Sequence, residues 1–374
     1  MYRHQQREKL LSTDRIEALD SLRGLAACLI VLFHLPKFNP ILNISFVDNS
    51  YLMVEFFFVL SGYVIFNSYS NNIHSKIDLL RFQFLRVGRL YPVHLVFLIA
   101  FVLIEFAKYF SQQNFGIEIK SQAFSTNNVM ALVQQTLLLH AIGPTNNAIT
   151  FNYPAWSISV ELYTYLIFGV ITLLADKGKN IWFLLIALTS VVLLGSQTTF
   201  GFDYVLRCLA GFFIGCLTAT IVAKPIIKIP SYTSLIAFGC IVMFLHLKTS
   251  GQYDLFIYPL TSFLISSLVT SRECRLNQFL EVKVFAWLGA LSYSIYMSHA
   301  FVIWFFEQII KRLWKTAASP SAHGDLTNQL SAVETIFTCV AILATVCIVS
   351  SFVYRFIEKP MRDWSRRFAF SKIV

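Results

Sequence analysis

Apolar runs about 20 residues long alternate along the chain with short segments of Gly, Pro, Asn and charge. A helix needs about 20 mostly apolar residues to cross the hydrocarbon core of a bilayer. Ten such runs can be read, at roughly 22–42, 51–69, 90–110, 156–175, 180–197, 203–223, 231–248, 253–271, 285–310 and 331–354. The pattern predicts an all-α polytopic membrane protein with about ten transmembrane helices. Residues 111–155 form the longest stretch outside these runs. Within it Val129 to Leu139 is apolar but too short to cross, so it is expected to be re-entrant or interfacial. Composition narrows the class further. Of 374 residues, 56% are hydrophobic and 13% charged, with a mean hydropathy of +0.63. A soluble domain carries about 25% charged residues. So apolar a chain cannot bury its side chains in one core and still cover a polar surface. A soluble enzyme, a disordered chain and a nucleic-acid module are excluded.

The net charge of +10 is a matter of placement. Most of the 30 Lys and Arg fall at alternate ends of the runs. They include Arg3, Arg7, Lys9, Arg15 and Arg23, then Lys76, Arg81, Arg86 and Arg89, and finally Arg355, Lys359, Arg362, Arg366 and Arg367. By the positive-inside rule both termini are cytoplasmic, and the charge is a sorting signal with no nucleic-acid partner. The domain reading is a single membrane domain over 1–374. It has a cytoplasmic segment 1–20, spans and loops 21–354, and a basic cytoplasmic tail 355–374. The first run reads as a retained signal-anchor. The seven Cys make no Cys-x-x-Cys pair and read as buried apolar residues, with no disulfide framework and no metal site.

Charged and titratable groups within lipid are costly, about 2.5–3.5 kcal/mol each at mid-bilayer on insertion scales. Arg23 and His34 lie on the first run, 11 residues and about 16 Å of helix apart, on nearly one face. An interfacial anchor plus a hydrogen-bonded core histidine describes them as well as a functional pair does. His299, Glu55 and Glu161 should lie at a depth similar to His34, which points to a shared polar cavity. Each of the four alone reads as a structural hydrogen-bonder. Arg86 and Arg89, at i and i+3, open the third run. They serve topology on the bland reading and clamp an anion with forked donors on the functional one, with Arg81 extending the patch. There is no phosphate-binding glycine loop, zinc motif or hydrolase elbow.

Five signatures in order resemble the membrane acyltransferase 3 family. They are Arg23 and His34 with ten residues between, the run Glu55 to Tyr63, and Arg86-Val87-Gly88-Arg89-Leu90-Tyr91-Pro92. Trp156 to Tyr163 follows, then Leu288 to His299 with Glu358-Lys359-Pro360. The resemblance covers about residues 15–367. It implies an integral membrane O-acyltransferase of the bacterial inner membrane. Such an enzyme moves an acyl group, usually acetyl from cytoplasmic acetyl-CoA, onto a carbohydrate hydroxyl. O-antigen, exopolysaccharide, capsule and glycolipid are all open as acceptors. His34 carries over as the catalytic base, Arg23 as its essential partner, and Arg86 and Arg89 as donor contacts. Some members carry an extracytoplasmic hydrolase-like domain; with none here, acceptor handling is expected of the membrane part.

The chemistry agrees with that assignment. An anionic nucleotide thioester needs arginine, and a hydroxyl attacking it needs a base such as neutral imidazole. Tyr293 is a candidate oxyanion donor, and Glu161 or Glu55 a candidate to fix the His34 tautomer, with His299 alongside. Direct attack and an acyl-His34 intermediate both stay open. A transporter or flippase of a lipid-linked sugar is the alternative reading, although no duplicated halves are visible.

Overall fold

The structure is a computed structural model, described here for residues 17–115, 122–224, 230–271, 274–314 and 330–371. All ten apolar runs are helical. They are α1 (Glu17–Phe33), α2 (Met53–Tyr69), α3 (Lys76–Phe115), α5 (Trp156–Leu174), α6 (Lys179–Gly195), α7 (Asp203–Val222), α8 (Thr233–Leu247), α9 (Ile257–Thr270), α10 (Lys283–Trp314) and α11 (Ala332–Val353). The short apolar piece becomes α4 (Val129–Thr136), and a further helix, α12 (Lys359–Ser371), follows α11. Among the described residues, seven helical segments have the length and apolarity to cross a membrane. The others among the ten, α1, α6 and α8, have 17, 17 and 15 residues and fall short of full length. α1 ends nine residues before the apolar run does, because Pro36 and Pro40 stop the helix. α6 (Ile181, Leu184, Leu188, Val192) and α11 (Val333, Ile336, Phe337, Val340) carry exposed stripes of large apolar side chains, as lipid-facing helices do.

Two close-packed helix pairs set the frame. α1 lies on α10 where Gly24 meets Gly289. A Cβ on Gly24 would stand 2.5 Å from the Gly289 nitrogen, and one on Gly289 would stand 2.4 Å from the Asp20 carbonyl oxygen. α2 lies on α7 in the same way, through Gly62 against the Phe212 carbonyl and Gly215 against that of Val59. Membrane helices approach this closely only through small residues. Fully buried rings of Phe82, Phe168, Phe183, Phe212 and Phe213 fill the space beside the second pair.

α3 has 40 residues and is about 60 Å long, twice the hydrocarbon thickness. Its first turns, ahead of Pro92, project beyond the apolar run and receive α12. Ring contacts join Phe84 to Trp364 (6.1 Å) and Phe368 (5.4 Å), and Ser365 seats on Gly88. A π-helical turn, Tyr354–Glu358, connects α11 to α12. The segment expected as a basic tail is therefore, over Lys359–Ser371, a docked amphipathic helix.

Candidate active site

The polar side chains gather at two levels of the bundle. At the first, His34 follows the last residue of α1, and its Nδ1 lies 2.9 Å from the Ile30 carbonyl. A carbonyl only accepts, so Nδ1 carries the hydrogen and Nε2 of the neutral ring holds a free lone pair. The ring centroid is 5.0 Å from that of His299 and 4.9 Å from that of Tyr153. Tyr153 opens a short 3-10 turn ahead of α5, made by Pro154 in its first turn. Asn152 ties that turn to α10 by donating to the Met297 carbonyl at 3.1 Å. His299 is fully buried, and neither ring nitrogen makes a well-formed hydrogen bond among the described residues.

The second level holds Arg23, Arg86, Arg89 and Glu161. Ser61 of α2 donates to Glu161 Oε1 at 2.7 Å, and Tyr165, one turn along α5, donates to the same oxygen. Arg86 is buried. It donates to the Tyr69 hydroxyl at 3.1 Å, and its guanidinium lies over the rings of Tyr69 (5.1 Å), Phe82 (5.7 Å) and Tyr165 (5.9 Å). Its Nε has no partner among the described residues. Arg23 and Arg89 are close enough to feel each other's charge and those of Asp20 and Glu161. Among the described residues, no carboxylate comes within ion-pair distance of Arg23, Arg86 or Arg89. Three guanidinium groups thus stand at this level without a bonded counter-ion.

A cavity of about 50 Å³ is lined by Arg23, Phe57, Ser157, Glu161, Tyr293 and Tyr296 among others, and neither His34 nor His299 is part of that lining. Tyr296 is the bridge. Its hydroxyl donates to the Pro154 carbonyl and accepts from Ser157, both at 2.9 Å, while its ring lies 5.7 Å from His299.

Several placements differ from expectation. Glu55 does not face the His34 level: it is ion-paired with Arg207 of α7, whose guanidinium stacks over Trp156 at 4.7 Å. An acid so deep needs its own cation, and Arg207 in the sixth run supplies it. Glu161 belongs with Arg23, because eight residues of helical chain, about 12 Å, separate it from Tyr153 at the His34 level. The tautomer of His34 is set by the Ile30 carbonyl and by neither acid. Tyr293 lines the cavity, but its hydroxyl donates to the Leu90 carbonyl at 2.5 Å and has no hydrogen left for an oxyanion. Arg81 is ion-paired with Asp78 at 3.7 Å and makes no extension of the arginine cluster. Sequence reasoning missed Tyr153, Tyr165 and Tyr296. Tyr296 at i−3 from His299 and Tyr165 at i+4 from Glu161 share their helix faces, a signal that could have found them; Tyr153 in a loop carried none.

The acyltransferase domain family matches residues 16–354. The chain belongs to that family. Among curated relatives it is 27% identical to the O-acetyltransferase OatA of Staphylococcus aureus strain NCTC 8325, over 95% of this chain and 58% of the relative. It is 22% identical to the peptidoglycan O-acetyltransferase OatA of Listeria monocytogenes, over 93% of this chain and 56% of the relative. A putative peptidoglycan O-acetyltransferase, YrhL of Bacillus subtilis, is 24% identical over 96% and 56%. The chain thus spans little more than half the length of these relatives. No solved structure matches it.

Proposed function

We propose that this chain is an O-acetyltransferase of the bacterial cytoplasmic membrane, using acetyl-CoA to acetylate a hydroxyl of a cell-surface carbohydrate. The observation that carries the reading is the arrangement of an arginine cluster without bonded counter-ions at one end, Arg23 and Tyr296 on a shared cavity, and beyond Tyr296 the His299–His34 ring pair, with a free Nε2 on His34. The arginine end faces the cytoplasm, in keeping with the positive-inside rule. Arg86 and Arg89 take phosphate oxygens of the donor, and Arg23 guides the thioester arm along the cavity past Tyr296. His34 Nε2 accepts the proton of the acceptor hydroxyl as that oxygen attacks the thioester carbonyl. A C–O bond forms, the C–S bond breaks, and the proton passes from His34 to the departing thiolate. The names of the relatives make a cell-wall polymer the first acceptor to try.

The test uses purified protein in nanodiscs with radiolabelled acetyl-CoA and fragments of peptidoglycan or surface polysaccharide. Acetyl ester appearing on the glycan without any ion gradient supports the enzyme. Glycan crossing the membrane chemically unchanged would overturn it in favour of a carrier.

A further inference from the structure

The family match ends at residue 354, and α12 lies beyond it. α11 alone is 22 residues, about 33 Å, enough to fill the hydrocarbon core, so α12 sits outside that layer. It is placed with some care. Arg362, Ser365, Arg366 and Ala369 repeat at i, i+3, i+4 and i+7 and form one face. Ser365 and Ala369 are buried on α3. A Cβ on Gly88 would stand 2.4 Å from the Ser365 Cβ, so the two helices touch at the residue between Arg86 and Arg89. Arg362 and Arg366 flank that point of contact.

Among the described residues these arginines lack the carboxylate bonds a purely structural role would provide. Arg362 Nε is buried without a partner among the described residues, and the guanidinium lies 5.8 Å from the Tyr354 ring. Arg366 lies within reach of the charges on Arg362, Arg86 and Asp363. Glu358, close enough to feel the charge of Arg362, sits in the π-helical turn and accepts a hydrogen bond from Ser294 at 2.7 Å. Like charges held together around an unpartnered, buried Nε on each helix, Arg86 and Arg362, call for an anion between them.

We propose that α12 forms the second wall of the donor site, with Arg362 and Arg366 binding phosphate of the donor's nucleotide half opposite Arg86 and Arg89. This rests on acyl-CoA being the donor. A donor of this kind carries a pyrophosphate and a ribose phosphate, and one arginine pair does not cover both groups bidentately. A lipid headgroup presents the same phosphate chemistry, and the test separates the two sources.

Acetyl transfer is measured for the full chain and for Arg362→Gln/Arg366→Gln, with three donors: acetyl-CoA, acetyl-3′-dephospho-CoA and S-acetylpantetheine, which has neither pyrophosphate nor ribose phosphate. The expected result is an apparent KM for acetyl-CoA raised about tenfold or more, with kcat within about twofold. S-acetylpantetheine kinetics stay unchanged. The difference persists in nanodiscs of pure phosphatidylcholine and in discs containing phosphatidylglycerol. Unchanged acetyl-CoA kinetics would overturn the proposal, as would a defect equal for all three donors. A defect seen only in discs with phosphatidylglycerol would assign the arginines to a headgroup and overturn it too. Arg366→Gln alone, at an exposed position, gives the same reading at smaller amplitude if the double variant fails to fold. Should the unaltered protein use no acetyl-CoA at all, the donor assignment itself fails, which the variant kinetics cannot mimic.

Discussion

Gly289→Ala tests whether the α1–α10 approach sets the catalytic geometry. The new methyl carbon would stand 2.4 Å from the Asp20 carbonyl oxygen and 2.5 Å from the Asp20 carbonyl carbon. Unstrained carbon contacts begin near 3.5 Å, so α1 must retreat by about 1 Å. Neither neighbour is a flexible chain end; both are helix backbone. α1 carries Arg23 and His34, and α10 carries Tyr293, Tyr296 and His299, so the whole site opens by that amount. A displacement of about 1 Å costs about 100-fold in rate, and overpacking costs about 1–3 kcal/mol of stability. The assay is kcat for acetyl transfer with thermal unfolding measured on the same preparation. Gly24→Ala, which meets Leu288 and Gly289, should behave alike. Gly239→Ala on α8, with nothing within 4 Å, should leave kcat untouched. A folded Gly289→Ala protein with kcat within about twofold of the unaltered one would refute the reasoning.

Three further outcomes are expected. Arg86→Ala/Arg89→Ala should raise the apparent KM for acetyl-CoA by at least about tenfold; unchanged donor kinetics would leave these residues a topological role only. Arg207→Ala should destabilise the fold by about 3–5 kcal/mol by leaving Glu55 charged and unpaired, and Glu55→Gln/Arg207→Met should recover most of it. Denaturant unfolding of the single and double variants decides the point, and a double variant as unstable as the single one would contradict it. His140 lies in the loop before α5, fully buried, and burial with the neighbouring charge of His94 pushes its pKa from 6.5 down to about 3. The unfolded chain therefore takes up a proton below pH 6.5 that the folded chain refuses until about pH 3. Stability is full above that window and falls as pH drops through it. His140→Gln should flatten the slope between about pH 6.5 and pH 5; an unaltered slope would dismiss His140 as its source.

Much of the architecture is legible in the sequence because apolar run length and helix length obey the same bilayer constraint. α2, α5 and α7 begin and end within two or three residues of the apolar runs that predict them. The first turns of α3 and the whole of α12 were not legible, because both lie in polar sequence where hydropathy is silent and packing through Phe84, Gly88 and Ser365 holds the helix. The meeting of His34 with His299 followed from depth alone, since both reside on helices that run the same way. Glu55 and Glu161 did not follow from depth. Arg207, which pairs with Glu55, and Ser61, which donates to Glu161, come from other helices, and rotation about a helix axis is not written in span position. The Ile30 carbonyl that sets the His34 tautomer is main chain, which no residue type announces.

The central claim is that His34 Nε2 removes the proton of the acceptor hydroxyl. Its most direct test is acetyl transfer by His34→Gln in nanodiscs, with acetyl-CoA binding measured by calorimetry on the same sample. The account predicts transfer lowered by about 10²–10⁴-fold, with the donor dissociation constant within about twofold. Transfer at the rate of the unaltered protein, with donor binding intact, would contradict it.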